Sequence, residues 1–239
     1  MFRMPALSFL AACCLATVHL LAGRLRGLDR IPRSRWLSIG GGVSVAYVFV
    51  HMFPELGEHQ HAFETLDLFA GFLDHHVYLV ALAGFTVFYG LERLAQNSRT
   101  DTRPNADPVF WIHVGSFGLY NCLVGYLLVH RIDTGRGTLV FFTVAMALHF
   151  LVNDSGLRFH HQERYHRTGR WLLVAGVLAG WLLGTMITLT EIALAVPVAF
   201  LGGGIVLNVI KEELPAERES RYWVFTFGAF GYAALLLAV

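Results

Sequence analysis

The feature that most constrains this chain is a succession of long apolar runs, separated by short stretches that carry most of the charge. A helix needs about 20 apolar residues to cross a bilayer. We number the candidate runs segments 1 to 8: residues 5–23, 37–53, 75–91, 108–129, 137–157, 171–189, 192–211 and 222–239. The sequence therefore predicts an all-α integral membrane protein with eight transmembrane helices, built as a single transmembrane domain over residues 1–239.

Composition excludes most other classes of protein. Hydrophobic residues make up 55% of the 239 residues and charged residues 15%, whereas soluble domains have roughly 45–50% and about 25%. The 18 Lys and Arg nearly balance the 17 Asp and Glu, for a net charge of +1. Because no charge excess would attract nucleic acid, we expect the lipid bilayer to be the surroundings and no nucleic-acid partner.

Segment 1 has two interpretations. An apolar run near the start of a chain is typical of a secretory signal peptide. Here the preceding positive charge is only Arg3, and five arginines follow the run. We therefore expect a retained helix, with a cleaved signal peptide as the alternative.

Basic residues alternate between the predicted loops. The loops after segments 1, 3, 5 and 7 hold 15 of the 18 Lys and Arg, and the other side has only Arg3, Arg131 and Arg136. Cytoplasmic loops carry the excess of Lys and Arg. The sequence thus predicts both termini outside the cytoplasm, in a multi-pass protein that we expect in a bacterial inner (plasma) membrane.

The loop between segments 2 and 3 is acidic and rich in histidine. It would face outward, where carboxylates and imidazoles attract divalent cations. The alternative is a solvated loop that lacks Lys and Arg only because of the topology. Its residues are Glu55, Glu58, Glu64, Asp67 and Asp74, with His59, His61, His75 and His76.

Segments 2 and 7 share a pattern. Each contains three consecutive glycines, from Gly40 and from Gly202, and each ends in an acidic stretch with a proline. In the predicted topology the two segments cross the membrane in opposite directions. Inverted repeats are typical of secondary transporters, although glycines also serve simple close packing of membrane helices.

Segment 5 contains the polar residues that are most unusual inside a membrane. His149 and Asn153 are one helical turn apart, and Asp154 adjoins them. Imidazole, amide and carboxylate ligands suit zinc and neighbouring metals, and a cation would make a buried carboxylate tolerable. In the alternative, Asp154 lies at the membrane interface and pairs with Arg158. The isolated histidines His19 and His113 are predicted to be hydrogen-bonded packing residues.

Several stretches resemble the ZIP family of metal-ion transporters. VFVHMFPEL in segment 2 and EELP after segment 7 are similar to the family's His-x-x-Pro-Glu helix end. The family's His-Asn-x-x-Asp-Gly corresponds to Tyr120–Gly125, which keeps Asn121 and the glycine. Its His-Glu-x-Pro-His-Glu corresponds to 149–154, which keeps His149 and a shortened carboxylate, with Asn153 in place of a histidine.

The resemblance implies eight helices in a 3+2+3 arrangement, with the first and last three related by inversion and metals bound between the fourth and fifth helices. It implies one metal site here, from Asn121, His149, Asn153 and Asp154. A second site would lack ligands, because Tyr120 and Val124 stand where the family has histidine and aspartate.

The function implied is transport of a divalent metal ion toward the cytoplasm by alternating access, with zinc as the first choice of cargo and iron or manganese as alternatives. A non-transporting ZIP-like subunit or metal sensor is the main alternative, and an intramembrane zinc hydrolase is a weaker one. We expect no enzymatic activity. A homodimer is compatible with the glycine-rich helices. The histidines after segment 5, His160, His161 and His166, form either a basic interfacial loop or a cytoplasmic receiver for metal.

Overall fold

The computed structural model describes residues 5–22, 35–58, 76–100, 106–134, 136–213 and 221–238, and within these ranges all regular structure is helical. The helices are α1 (Pro5–Ala22), α2 (Arg35–Tyr47, continuing through a π-helical turn at Val48–Met52 into Phe53–Glu58), α3 (His76–Thr100), α4 (Ala106–Thr134), α5 (Arg136–Arg164, followed by a π-helical turn at Tyr165–Gly169), α6 (Arg170–Met186), α7 (Glu191–Glu213) and α8 (Tyr222–Leu237). They follow segments 1 to 8 in order, which confirms the all-α prediction.

Five of the described helices are long and apolar enough to cross a membrane, namely α2 to α6, while α1, α7 and α8 contain shorter apolar stretches. Large apolar side chains also cover much of the outer surface. A bilayer would bury such a surface, which in water would be a costly exposed patch. Examples are Leu10, Trp36, Leu119, Trp223, Phe227 and Phe230.

Of two predicted loops, one is helical in the structure and the other lies mostly outside the described residues. The region 158–170, predicted to be a loop, is instead helical, since α5 continues to Arg164 and a π-helical turn leads into α6. The extension of α5 is stabilised by packing, because His161 contacts His113 of α4. Most of the predicted acidic loop, residues 59–75, lies outside the described residues.

Helix α4 fixes the directions of its neighbours. Glycines of α6 pack against the backbone of α4 in the same order along both helices: Gly176 on Gly118, Gly180 on Cys122 and Gly184 on Tyr126. Contacts with α5 run in the opposite order, because His113 meets His161 whereas Tyr120 meets Met146. Helix α6 is therefore parallel to α4 and α5 is antiparallel to it, so the chain reverses between α5 and α6.

The same pattern of glycine contacts occurs in two helix pairs, α2 with α8 and α7 with α3. In each pair, a glycine of the first helix contacts the backbone of two residues of the second helix. A glycine of the second helix in turn contacts the backbone of the first helix, three residues before that first glycine. A Cβ atom at any of these glycines would collide with backbone, so only glycine permits the approach. The contacts are Gly42 with Phe225 and Ala229, Gly228 with Ile39, Gly203 with Ala81 and Phe85, and Gly84 with Phe200.

These contacts make the two pairs equivalent in their packing. Helix α2 has the part in one pair that α7 has in the other, and α8 the part that α3 has. The register differs by one residue from the sequence comparison, because Gly42 matches Gly203 and not Gly204. Two runs of three glycines can be aligned with a shift of one residue, so the sequence alone does not decide which glycines are equivalent.

Three helix pairs pack most closely: α4 with α6, α3 with α7 and α2 with α8. We call α1, α4, α5 and α6 group A and α2, α3, α7 and α8 group B. Helix α6 packs on both α1 and α4 of group A, whereas α2 packs more extensively on α5 of group A than on α7 of its own group. The contact between α2 and α5 includes the packing of Gly40 on Leu148 and Val152.

Candidate cation site

Six polar side chains lie deep in the bundle, on α1, α4, α5 and α7. Each must find a partner, because an unpartnered polar group away from water is costly. They form two chains of contacts, which meet where Asn153 and Asp154 are adjacent in α5. Their exposed fractions are 1% for His19, 2% for Asn121, 0% for His149, 8% for Asn153, 0% for Asp154 and 6% for Asn208.

The first chain joins Asp154 to Asn121 through His19. His19 Nδ1 lies 2.9 Å from Asp154 Oδ2 and 3.1 Å from Oδ1, and Asn121 Nδ2 lies 2.9 Å from His19 Nε2. Asn121 Nδ2 also donates to the carbonyl of Leu173 at 3.4 Å, which fixes the orientation of the amide. His19 Nε2 then accepts a hydrogen bond from Asn121, while Nδ1 donates to the carboxylate of Asp154.

The second chain joins His149 to Asn208 through Asn153. Asn153 Nδ2 lies 3.0 Å from His149 Nε2, and Asn208 Nδ2 donates to Asn153 Oδ1 at 3.0 Å. His149 Nε2 therefore accepts, and its proton belongs on Nδ1. That Nδ1 is buried, and none of the described residues offers it a hydrogen-bond partner. The histidine thus has unused hydrogen-bonding capacity inside the bundle.

The four predicted ligands are all buried, but they do not converge on one point. Asn121 and Asp154 meet through His19, whereas His149 and Asn153 meet Asn208. The reason is helical geometry, because residues five apart, such as His149 and Asp154, point about 140° apart around an α-helix. The alternative of a water-exposed Asp154 at the interface does not fit its complete burial.

Two members of these chains are not among the predicted ligands. His19, predicted to be a hydrogen-bonded packing residue, is buried and contacts Asp154 and Asn121. Asn208 follows the glycines of α7 and was not singled out, although it contacts Asn153. Both are polar residues within apolar runs, which is the signal that had identified the polar residues of α5.

A further polar cluster, here the lysine cluster, comprises Lys211, Glu92, His113 and His161. Lys211 Nζ lies 2.7 Å from Glu92 Oε2, and His113 Nε2 lies 3.9 Å from the same oxygen. On its other side, His113 Nδ1 lies 3.0 Å from His161 Nε2. His113 is therefore not isolated, and its ring connects residues of α3 and α5.

A cavity with room for about one water molecule connects the second chain to the lysine cluster. Both groups of helices line it, so it lies on their boundary. Its walls are formed by His113, Phe117, Asn153, Gly156, Leu157, Asn208 and Lys211.

A second, apolar cavity also lies on the boundary between groups A and B. Tyr120 and Val124 line it, at the positions where the resemblance expects histidine and aspartate. Its walls offer neither carboxylate nor imidazole: Tyr47, Met52, Tyr120, Val124, Leu127, Phe142, Met146, Val198, Leu201 and Ile205. Tyr120 donates from its hydroxyl to Met146 Sδ at 3.6 Å. This cavity is not suited to hold a second metal ion.

Within the described side chains, no group of three or more His, Cys, Asp or Glu could hold a metal ion. A site built from the predicted residues would depend on asparagine oxygens beside His149 and Asp154. The chain matches no protein-family model, no curated protein and no solved structure.

Proposed function

We propose that this protein is a ZIP-like carrier that moves a divalent metal ion, zinc first and iron or manganese as alternatives, toward the cytoplasm by alternating access. The observation that carries the proposal is the complete burial of Asp154 and His149 among hydrogen-bonded polar side chains of α1, α4, α5 and α7. Ionisable residues inside a membrane tend to mark transport pathways.

The helix directions support a chain that crosses the membrane at every helix, eight times, with both termini outside. In that topology α4 and α6 are parallel and α4 and α5 antiparallel, in agreement with their contacts. Helix α1 must be antiparallel to α6. Trp181, late in α6, accordingly donates to Ser8 near the start of α1. Leu173, early in α6, accepts from Asn121, which also contacts His19 near the end of α1.

The repeated glycine contacts support the inverted repeat. Helices α2 and α7 cross in opposite directions in this topology, and so do α3 and α8, yet the two pairs pack through the same pattern of glycines. Such inverted halves place a substrate site near the midplane between them. In this proposal, the polar chains of Asp154 and His149 supply that site.

Alternating access then requires the two groups to move against each other. Backbone contacts at glycines hold the helices together within each group, as Gly180 on Cys122 does in group A and Gly203 on Ala81 in group B. Across the boundary lie the two cavities, the bond between Asn208 and Asn153, and the packing of α2 on α5. We therefore place the movement at this boundary.

Binding a cation would require the amide of Asn153 to turn. In the structure the NH2 group of Asn153 faces His149 Nε2. The hydrogen bond from that group uses the nitrogen lone pair that a metal ion would need. A turned amide would present Oδ1 beside that nitrogen. Asp154 supplies the only formal negative charge of the predicted set, so affinity should be modest, as suits a carrier that must release its cargo.

Uptake of zinc into liposomes containing the purified chain tests the proposal. His149→Ala and Asp154→Ala should each lose most of the uptake at matched protein content. His130→Ala is the matched control, because His130 lies at the far end of α4 against Tyr126 and outside both polar chains. Undiminished uptake by both site variants would refute the proposal.

The apolar cavity favours one competing function, a non-transporting ZIP-like subunit or metal sensor. Tyr120 and Val124 remove two metal-ligand positions, and the cavity around them is lined by apolar and aromatic groups. A wild-type chain that folds in liposomes but transports no zinc, iron or manganese would support this alternative.

A further inference from the structure

We propose that Tyr165 is a positioning residue for Asp154, whose carboxylate exchanges its bond with His19 for one with the Tyr165 hydroxyl when the carrier releases its cation. The inference rests on the proposed function for the step at which the exchange occurs. The exchange itself depends only on side chains of α1, of α5 and of the π-helical turn that follows α5.

The hydroxyl of Tyr165 gives the first argument. The side chain is 0% exposed, and it interacts electrostatically with Asp154. None of the described residues, Asp154 included, forms a well-aligned hydrogen bond with this hydroxyl. A buried polar group without such a bond is costly. A conformation in which Tyr165 donates to Asp154 would recover that loss.

The carboxylate of Asp154 gives the second argument. Both of its oxygens contact the same nitrogen, His19 Nδ1, at 2.9 and 3.1 Å. A ring nitrogen donates a single proton, whereas a carboxylate has about four lone-pair sites that can accept. The contact with His19 therefore leaves capacity for a further donor, and the Tyr165 hydroxyl is close to it.

Helical geometry explains why these groups meet. Arg158 follows Asp154 by four residues and Tyr165 follows Arg158 by seven, and residues at these spacings share one face of a helix. The π-helical turn adds Arg170, whose backbone N–H bonds to the carbonyl of Tyr165. Tyr165 interacts electrostatically with both arginines. The C-terminal end of α5 thus offers Asp154 a second environment, apart from that of His19.

The charges of this second environment give the third argument. Beside Tyr165, the carboxylate of Asp154 would have the guanidinium groups of Arg158 and Arg170 as neighbours. Arg170 Nε is buried, and none of the described residues accepts a hydrogen bond from it. Positive neighbours offset the charge of a carboxylate and so weaken its attraction for a cation. The exchange of partners would therefore release the cargo, because Asp154 supplies the only formal negative charge of the predicted site.

Thermal unfolding of the purified full chain in detergent, without zinc, tests the inference. Tyr165→Phe removes only the hydroxyl. His19→Phe removes the N–H that binds Asp154 and keeps a ring that can stack on Phe150. Tyr165→Phe alone should change the unfolding temperature by less than about 2 °C, because the hydroxyl has no well-aligned bond in this conformation. In the His19→Phe background it should lower the unfolding temperature by about 4 °C or more, since Asp154 then takes its bond from Tyr165.

Tyr89→Phe is the matched control, because Tyr89 is 51% exposed on another helix, α3. It should have the same effect in both backgrounds. The dependence of Tyr165→Phe on the background should vanish when Asp154→Ala is added to both. Equal effects of Tyr165→Phe in the two backgrounds would overturn the proposal. So would a loss of about 4 °C or more from Tyr165→Phe alone, which is the result expected of a permanent structural bond.

If His19→Phe does not fold, zinc binding and zinc uptake by Tyr165→Phe provide the test. The Kd from equilibrium dialysis should change by less than about twofold, because the bond between His19 and Asp154 is kept. The maximal rate of uptake into liposomes should fall by about fivefold or more, because the second position of Asp154 loses a hydrogen bond to a charged group. An unchanged maximal rate would overturn the inference, and so would a fall in rate matched by an equal weakening of binding.

Failure of this inference can be distinguished from failure of the proposed function. Wild-type liposomes that take up no zinc refute transport, whereas the unfolding measurements contain no zinc. Uptake that depends on His149 and Asp154, together with equal effects of Tyr165→Phe in the two backgrounds, would refute only the exchange of partners.

Discussion

His19 Nδ1 lies 2.9 Å from Asp154 Oδ2, and the two side chains are 1% and 0% exposed. The contact joins α1 to α5 across 135 residues of sequence separation. Asn121 binds the opposite nitrogen of His19, so the imidazole is held on both sides and directs a single N–H at the carboxylate. The position of Asp154, the one formal charge of the predicted site, thus depends on α1.

We therefore predict that His19→Ala destabilises the folded protein by about 1.5–3 kcal/mol, because it removes a hydrogen-bond donor from a buried carboxylate. Thermal unfolding in detergent measures the effect. The double variant His19→Ala/Asp154→Ala should be less destabilised than the sum of the two single variants, since the second change removes the charge that has lost this donor. Strict additivity would show that the two side chains are not coupled.

Substitution of Asn208 is predicted to change zinc binding. It donates to Asn153 Oδ1 and so holds the Asn153 amide with its NH2 group toward His149. Asn208→Ala removes that bond, worth about 0.5–1.5 kcal/mol, and should tighten zinc binding by roughly 2- to 12-fold. Asn153→Ala, which removes the turning amide itself, should weaken zinc binding. Equal or weaker binding in Asn208→Ala would contradict the proposed turn of the amide.

The repeated glycine contacts predict matched losses of stability. An added Cβ at Gly42 or Gly203 meets backbone carbonyl oxygens of the partner helix, and overpacking of this kind costs about 1–3 kcal/mol. Gly42→Ala and Gly203→Ala should therefore lower the unfolding temperature by similar amounts. Gly115→Ala is the control, because no atom lies within 4 Å of its added Cβ. A much larger loss at only one of the two glycines would argue against equivalent positions.

Features that depend on the local sequence pattern, such as the helices and the burial of polar residues, could be predicted. Apolar runs predicted the helices in order, and the glycine runs of α2 and α7 lie where these helices pack closely on their partners. Polar residues in apolar surroundings identified Asn121, His149, Asn153 and Asp154 as buried.

Partners across the fold could not be predicted in the same way. Nothing near His19 in the sequence indicates Asp154, and nothing near His113 indicates His161 or Glu92, because these contacts depend on which helices become neighbours. The charged stretch after segment 5 was likewise predicted to be a loop, since its composition is typical of one. It is helical because tertiary contacts such as that of His161 override local preference.

The last prediction concerns topology. Fifteen of the 18 Lys and Arg fall in alternate loops, and such loops remain in the cytoplasm. Alkaline phosphatase fused after residue 239 should be active in a bacterial host, because it folds only outside the cytoplasm, and green fluorescent protein at the same place should be dark. Fusions after residue 105, in the basic stretch between α3 and α4, are the matched control and should show the reverse. Fluorescence at both positions would mean that an even number of helices crosses the membrane between them, and not the five of the proposed topology. The opposite directions of α3 and α8, on which the inverted repeat depends, would then be lost together with the basis for alternating access.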